Sequence, residues 1–132
     1  MNILIDTHIL LWSLFSPLKL SRGKREALLD PKNSIYVSVI SLWEISLKYS
    51  IGKLQIRGAK IEKLGKAIEQ TGFEILSLSS KEALDFYMLP KHKNKDPFDR
   101  MLIWQCISND YYLMSQDLGI PDYKKHGLKL LV

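Results

Sequence analysis

The sequence predicts an α/β protein: a three-layer α/β/α sandwich on a mainly parallel central sheet, in one domain spanning residues 1–132. Three observations carry this. Short apolar, β-branched runs alternate with helix-patterned segments along the whole chain, the signature of a parallel sheet covered by helices. No repeat, low-complexity tract or linker interrupts the alternation. A chain of 132 residues, 46% hydrophobic and 25% charged, has the size and composition of one domain with a real core.

Asn2 to Ile5 is an apolar run closed by Asp6-Thr7, read as a buried strand with an acid at its carboxyl end. Asp6 or Thr7 can cap a short helix through Trp12, Ser21 to Leu29 reads as a second helix, and Asp30-Pro31-Lys32-Asn33 as a turn. Ile35 to Val39 is the second strand. Ser41-Leu42-Trp43-Glu44 has the form of a capping box, expected to open an amphipathic helix to about Ile51 beside Gly52. Lys48 stands four residues after Glu44, the spacing of a helical salt bridge worth about 0.3–0.5 kcal/mol.

Further on, Lys60 to Thr71 reads as a helix with Gly72 as its C-cap, and Phe73 to Leu78 as a third strand. Ser79-Ser80-Lys81-Glu82 caps a helix to Met88. Pro90 to Lys95 is a basic loop. In Asp96-Pro97-Phe98-Asp99-Arg100 the proline suits the first turn of a helix, where its missing N–H costs nothing, so Asp96 is the N-cap and Asp99 occupies N3 of a helix running to about Asn109. Tyr111 to Met114 is a fourth strand ending at Ser115-Gln116-Asp117, and Leu128 to Val132 a last one.

Composition excludes several classes. The single cysteine, Cys106, lies in an apolar helical pattern, so neither a disulfide framework nor cysteine-based zinc spacing is present. The N-terminal segment meets Asp6 with no basic region before it, and no apolar run approaches the roughly 18 residues of a membrane span. A reducing cytoplasmic location without membrane association is therefore expected. Nineteen Lys plus Arg against fourteen Asp plus Glu give +5, which suits a polyanionic partner and is also common on plain globular proteins.

The chemistry lies in four acids placed where a strand or turn hands over to a helix: Asp6, Glu44, Asp99 and Asp117. Parallel sheets build their sites outside the carboxyl ends of the strands, which is where this pattern puts Asp6 and Asp117. Each acid also has a local explanation. Asp6 can be a helix cap, Glu44 and Asp99 capping-box members, Asp117 a turn residue. Gathered together they need more. Two like charges about 4 Å apart repel by about 4 kcal/mol at an effective dielectric near 20, so a cluster calls for shared protons or a cation. An all-oxygen site selects a hard divalent ion, Mg²⁺ or Mn²⁺, and such ions activate water and neutralise charge in phosphodiester hydrolysis.

Asp6-Thr7-His8 after an apolar strand, Ser41-Leu42-Trp43-Glu44-Ile45 with Lys48 and Gly52-Lys53-Leu54, and Asp96-Pro97-Phe98-Asp99-Arg100-Met101-Leu102-Ile103 together resemble the PIN-domain ribonucleases, and among them the VapC-type toxins of toxin–antitoxin modules. The resemblance covers nearly the whole chain in order and spacing. It implies a PIN-like fold and an Mg²⁺- or Mn²⁺-dependent endoribonuclease, held inactive by a small antitoxin protein and forming a homodimer. Asp6, Glu44 and Asp99 match the family's core acidic residues, and Asp117 its more variable fourth acid. Asp96 matches an additional acid of the subgroup, taken as capping or outer-shell. The sequence departs from the family pattern at His92, which lies four rather than two residues before Asp96 and is expected to be a solvated loop histidine. It departs again at Ser115-Gln116-Asp117, where serine replaces the usual threonine.

The expected mechanism has Asp6, Glu44, Asp99 and Asp117 holding one or two Mg²⁺ ions that bind the scissile phosphate and acidify a water. Thr7 and Ser38 or Ser41 are candidates for positioning carboxylates or water. Lys91, Lys93 and Lys95, with Arg100, are candidates for RNA backbone contact. Trp12, Trp43 and Trp104 are expected in the core. A second reading is a non-catalytic RNA- or protein-binding module, against which the presence of Asp6, Glu44 and Asp99 weighs. A third is an acidic phosphotransfer domain. Its phosphatase form is disfavoured because Asp6-Thr7-His8 lacks the second aspartate of a DxD nucleophile motif. DNA as substrate is not separated from RNA by these residues; the preference for RNA comes from the resemblance.

Overall fold

A computed structural model describes residues 1–56, 60–116 and 120–131. Its centre is β1 (Asn2–Ile5), whose Ile3, Leu4 and Ile5 are fully buried. A strand apolar on both faces must be covered on both. Here β2 (Ser34–Ser38) and β4 (Tyr112–Met114) flank it, both parallel to it. Beyond them lie β3 (Glu74–Leu76) against β2 and β5 (Lys129–Leu130) against β4, again parallel, in the order β3-β2-β1-β4-β5.

Successive residues of β1 point to opposite faces and so seed two separate cores. Ile3 and Ile5 pack with Ile9 and Leu10 of α1 (Thr7–Phe15), Ile45 of α3 (Val39–Ser50), and Leu64 and Ile68 of α4 (Leu64–Thr71). Leu4 packs on the other face with Leu102, Ile103 and Cys106 of α6 (Pro97–Asn109) and with Tyr123 of a 3₁₀ segment, Ile120–His126. Two short helices complete the set: α2 (Arg22–Leu29) and α5 (Ser80–Asp85). The result is the three-layer sandwich expected, with every strand pair parallel.

Several elements are shorter than the sequence patterns suggested: β3 covers three residues, β5 two, and α4 is preceded by a 3₁₀ turn at Ile61–Lys63. Gly72 closes α4 as expected, at a φ of 80° that only glycine adopts without strain. One boundary moves in a way that matters for function. The helix expected to start at Ser41 starts at Val39, directly after β2, and its N-cap is Ser38, whose Oγ accepts from the Ile40 N–H at 3.1 Å. Ser41 and Glu44 therefore lie inside α3 and form no capping box.

Strand order sets the site. From β1 the chain goes to β2 and β3 on one side and afterwards to β4 and β5 on the other, so the order of strand addition switches sides between β1 and β4 while all strands stay parallel. A crevice opens at the carboxyl ends of strands at such a point. Asp6 directly follows β1 and Ser115 directly follows β4.

Candidate active site

Asp6 caps α1. Its Oδ1 accepts from the Ile9 N–H at 2.8 Å, while Oδ2 accepts from the Ser115 hydroxyl at 2.6 Å and the Gln116 N–H at 3.4 Å. The Asp6 N–H in turn donates to the Met114 carbonyl, which ties the end of β1 to the end of β4. The carboxylate is buried and has a hydrogen-bond donor on each oxygen, as a charge withdrawn from water requires. Ser115 is thus an anchor for Asp6. The Lys24 ammonium, 3.5 Å from the Ser115 carbonyl, brings α2 to the same rim, which no local pattern foretold.

The next residue, Thr7, reaches the other side of the crevice. Its hydroxyl donates to Glu44 Oε1 at 2.6 Å and lies 3.0 Å from Ser41 Oγ. Thr7, Ser41 and Glu44 are all buried. Because α3 begins at Val39, Ser41 and Glu44 sit three residues apart on its inward face and meet α1 there. The capping role that would have explained Glu44 is gone: this is a buried carboxylate without a helix-end duty. Its Oε2 accepts from the Lys48 ammonium, so the expected i,i+4 pair is present. The carboxylate side chain is 5% exposed and the lysine 36%.

The start of α6 completes the rim. Asp96 is the N-cap, its Oδ1 accepting from the Phe98 and Asp99 N–H groups at 2.8 and 3.3 Å. The Asp96 N–H, which a capping-box Asp99 would have accepted, goes to Asn94 Oδ1 at 2.9 Å. The Asn94 side-chain amide also donates to Asp99 Oδ2 at 3.2 Å. Phe98 packs edge-on against Trp43 of α3, ring centroids 5.3 Å apart, with the Lys48 ammonium 5.9 Å from its own ring centre. Lys48 therefore lies between α3 and α6. The hydrogen bond to Glu44 is the main influence raising its pKa above the ordinary lysine value; burial opposes this, and the charges of Glu44, Asp96 and Asp99 reinforce it.

A further buried tie holds these helices in register. The Ser38 hydroxyl that caps α3 donates to Gln105 Oε1 at 2.5 Å, and Gln105 Nε2 donates to the Ser77 carbonyl at 3.3 Å. Ser38 and Gln105 are fully buried. Gln105 drew no attention in the sequence because it sits within the apolar pattern of α6.

Of the expected site residues, Glu44, Thr7, Ser41 and Lys48 are joined directly, Asp96 and Asp99 act on the same ammonium, and Asp6 stands at the root of the crevice one residue before Thr7. Asp117 lies outside the described residues. Among the described residues no group of three or more His, Cys, Asp or Glu side chains is placed to hold a metal ion. The donor set is all oxygen, the chemistry that suits a hard divalent ion: Asp6, held by Ser115, and Glu44, held by Thr7, are buried, and the Asp96 and Asp99 charges act on the ammonium paired with Glu44.

Other expectations resolve differently. Arg100 donates from Nη2 to the Leu89 and Pro90 carbonyls at 2.9 and 3.4 Å and from Nε to the Tyr123 hydroxyl, and lies over the Phe86 ring. It anchors the loop before α6. His92 is no solvated loop residue: its Nε2 is 2.8 Å from Nε2 of His126, and its ring stands edge-on to Tyr123. Tyr123 OH donates to the Asn94 carbonyl, so this aromatic pair buttresses the loop that presents Asn94 and Asp96. Lys91, Lys93 and Lys95 are exposed. Trp43 is 60% exposed rather than core, whereas Trp12 and Trp104 are partly buried. Burial pushes the Cys106 thiol pKa far up, leaving it inert as a nucleophile.

Residues 3–126 match the family model of the PIN domain. Among curated protein sequences none matches. Solved structures with the same fold include VapBC2 from Rickettsia felis bound to a DNA fragment from their promoter, at 19% identity and a TM-score of 0.67, covering 99% of this chain and 98% of that one. DNA-bound VapBC from Salmonella typhimurium gives 16% identity and a TM-score of 0.68 over 99% and 97% of the two chains. A toxin–antitoxin complex from Klebsiella pneumoniae gives 19% and 0.60 over 98% and 96%.

Proposed function

The chain belongs to the PIN domain family, and on that premise we propose that it is a Mg²⁺- or Mn²⁺-dependent endoribonuclease acting as the toxin of a toxin–antitoxin pair. The observation that carries this reading is Glu44: a buried carboxylate with no capping duty, hydrogen-bonded by Thr7 and by Lys48, an ammonium on which the Asp96 and Asp99 charges of α6 also act. Stability alone does not call for it, because the desolvation cost of a buried ion pair can exceed what the pairing returns.

In this reading Asp6, Glu44 and Asp99, with Asp117, hold the metal. Bound there, a divalent ion supplies charge neutralisation for a phosphodiester and a water of lowered pKa. The chain's own groups do the rest. Ser115 and the Gln116 N–H fix one oxygen of Asp6, Thr7 fixes one oxygen of Glu44, and Asn94 orients Asp99. Holding ligands by hydrogen bonds in this way keeps them aimed. Asp96, Thr7 and Ser41 serve as outer-shell supports. Lys93 and Lys95, exposed beside α6, and Lys24 at the opposite rim take the RNA backbone, so binding falls with salt. Arg100 serves by holding their loop in place.

An antitoxin partner is part of the proposal. The structural neighbours are VapBC and toxin–antitoxin complexes. This chain carries a groove of about 630 Å³ beside α1, lined by His8, Leu11, Trp12, Phe15 and Leu54 among others, in which a partner segment could lie. A homodimer is the expected assembly, with exposed apolar surface at Leu84, Tyr87 and Met88 to support it. A cytoplasmic site of action follows from the proposed partners; among the described residues no helix is long and apolar enough to cross a membrane.

The test is cleavage of a mixed cellular RNA pool by purified, antitoxin-free protein with Mg²⁺ or Mn²⁺, compared with EDTA and with Asp99→Asn. Metal-dependent cleavage abolished in the variant is the expected result. Intact RNA with folded wild-type protein, together with no detectable metal binding, would overturn the reading in favour of a binding module.

A further inference from the structure

Both oxygens of the Glu44 carboxylate are engaged, Oε1 by the Thr7 hydroxyl and Oε2 by the Lys48 ammonium. The two partners differ in kind. A hydroxyl is neutral and orients the carboxylate without cancelling its charge. The ammonium supplies a single positive charge at the carboxylate, and a divalent metal ligated there would supply two. Lys48 does this from a defined position, with its side chain 36% exposed, its ammonium over the Phe98 ring and the Asp96 and Asp99 charges acting on it from α6.

The comparison within the chain is Lys81–Asp85, also an i,i+4 pair. There the lysine side chain is 85% exposed and the pair belongs to the solvated surface. The Lys48 pair instead closes over an acid that is buried in the crevice. A counter-charge offsets the cost of burying such a carboxylate, and the chain carries one of its own for periods when no ion is bound.

Resting on the metal-nuclease reading above, we propose that Lys48 is the resident counter-cation of the acidic site, displaced from Glu44 when a divalent metal loads. The ion pair then sets the metal concentration at which the site fills. Two contributions act in the same direction. Loading breaks an existing ion pair, and it brings a divalent charge close to an ammonium. Removing the ammonium removes both, so a variant lacking it binds metal more tightly although it has lost a conserving contact of the unloaded fold. The flexible four-carbon stem and the partial exposure of Lys48 give the ammonium a path out toward solvent.

The experiment measures free Mn²⁺ by electron paramagnetic resonance during titration of antitoxin-free protein without RNA, at about pH 8, for wild type, Lys48→Met, Lys48→Arg and Glu44→Gln. Lys48→Met is expected to bind Mn²⁺ more tightly by up to about fivefold, the upper end for a partly exposed ion pair, and to show a larger Mn²⁺-induced rise in Tm. Lys48→Arg, which keeps the charge, is expected to stay near wild type, and Glu44→Gln to bind more weakly. Unchanged or weaker binding by Lys48→Met, with normal binding by wild type, overturns the displacement and leaves the metal-nuclease reading standing. Full affinity in Glu44→Gln also overturns it, since the pair would not then be at the metal. No binding by wild type overturns both. Should Lys48→Met fail to fold, Lys48→Gln takes its place under the same criteria.

Discussion

Two segments of this chain read Ser-x-x-Glu, and they end in opposite environments. At Ser79-Ser80-Lys81-Glu82 the capping box forms: Ser79 Oγ accepts from the Glu82 N–H at 3.0 Å and Glu82 Oε1 accepts from the Ser79 N–H at 2.9 Å. At Ser41-Leu42-Trp43-Glu44 no box forms, because β2 passes into α3 without a loop and Ser38 takes the cap. The first glutamate finishes a helix end at the surface, and the second is turned inward to Thr7 and Lys48. The same four-residue pattern is therefore structural at one site and, in our reading, functional at the other, and what distinguishes them is where the preceding strand stops.

The largest expected effect separates the two glutamates by activity. Glu44→Gln should lower the initial rate of metal-dependent RNA cleavage by more than about 100-fold, beyond the loss typical of supporting residues, while Glu82→Gln leaves it unchanged. Comparable losses from both would remove the distinction. Next comes stability, read from urea unfolding of the three serines. Ser38→Ala deletes the α3 cap, worth about 1 kcal/mol, and strands the buried Gln105 Oε1, worth about 1–3 kcal/mol more. Ser79→Ala should cost about 1 kcal/mol. Ser41→Ala, losing only its contact with Thr7, should cost less than that, and a larger loss there than at Ser79 would mean that α3 starts at Ser41 after all.

The two lysine pairs sharpen the comparison further. A double-mutant cycle on Lys48 and Glu44 should return a coupling of about 1 kcal/mol, the upper end for a partly exposed pair, and one on the solvated Lys81 and Asp85 nothing measurable. The smallest effect is in pH. The Lys48 pKa is raised by Glu44, so the stability it contributes is fully present below the ordinary lysine value of 10.5 and is lost as pH rises through the higher folded value. The stability difference between wild type and Lys48→Met should thus stay level from about pH 7 to about pH 9 and shrink only above the ordinary lysine value.

Much of this architecture was legible from local chemistry. The apolar Asn2–Ile5 run could only be a strand covered on both faces, Asp96-Pro97 marked the start of α6, Gly72 the end of α4, and the Ser79 box the start of α5. The acids Asp6, Glu44 and Asp99 were nameable because each follows a strand or opens a helix in a spacing that resembles PIN-domain nucleases. What local chemistry concealed was the division of labour. Asn94 takes the N–H that Asp99 was expected to accept, and Gln105 is hidden among apolar neighbours. His92 finds His126 thirty-four residues away, and Arg100 spends its guanidinium on carbonyls of its own loop.

The sequence by itself determined which segments are strands and helices and which residue types are available at the sheet's carboxyl edge, because patterning and capping act within about four residues along the chain. Only the tertiary structure decided what those residues touch. Thr7 meets Glu44 across 37 positions and Ser115 meets Asp6 across 109, contacts that exist because β4 and β2 were laid on either side of β1. Hydrogen bonds and ion pairs are short-range in space and indifferent to distance along the chain. Whether a carboxylate caps its own helix or turns into a shared crevice is therefore settled by strand order and by where β2 gives way to α3.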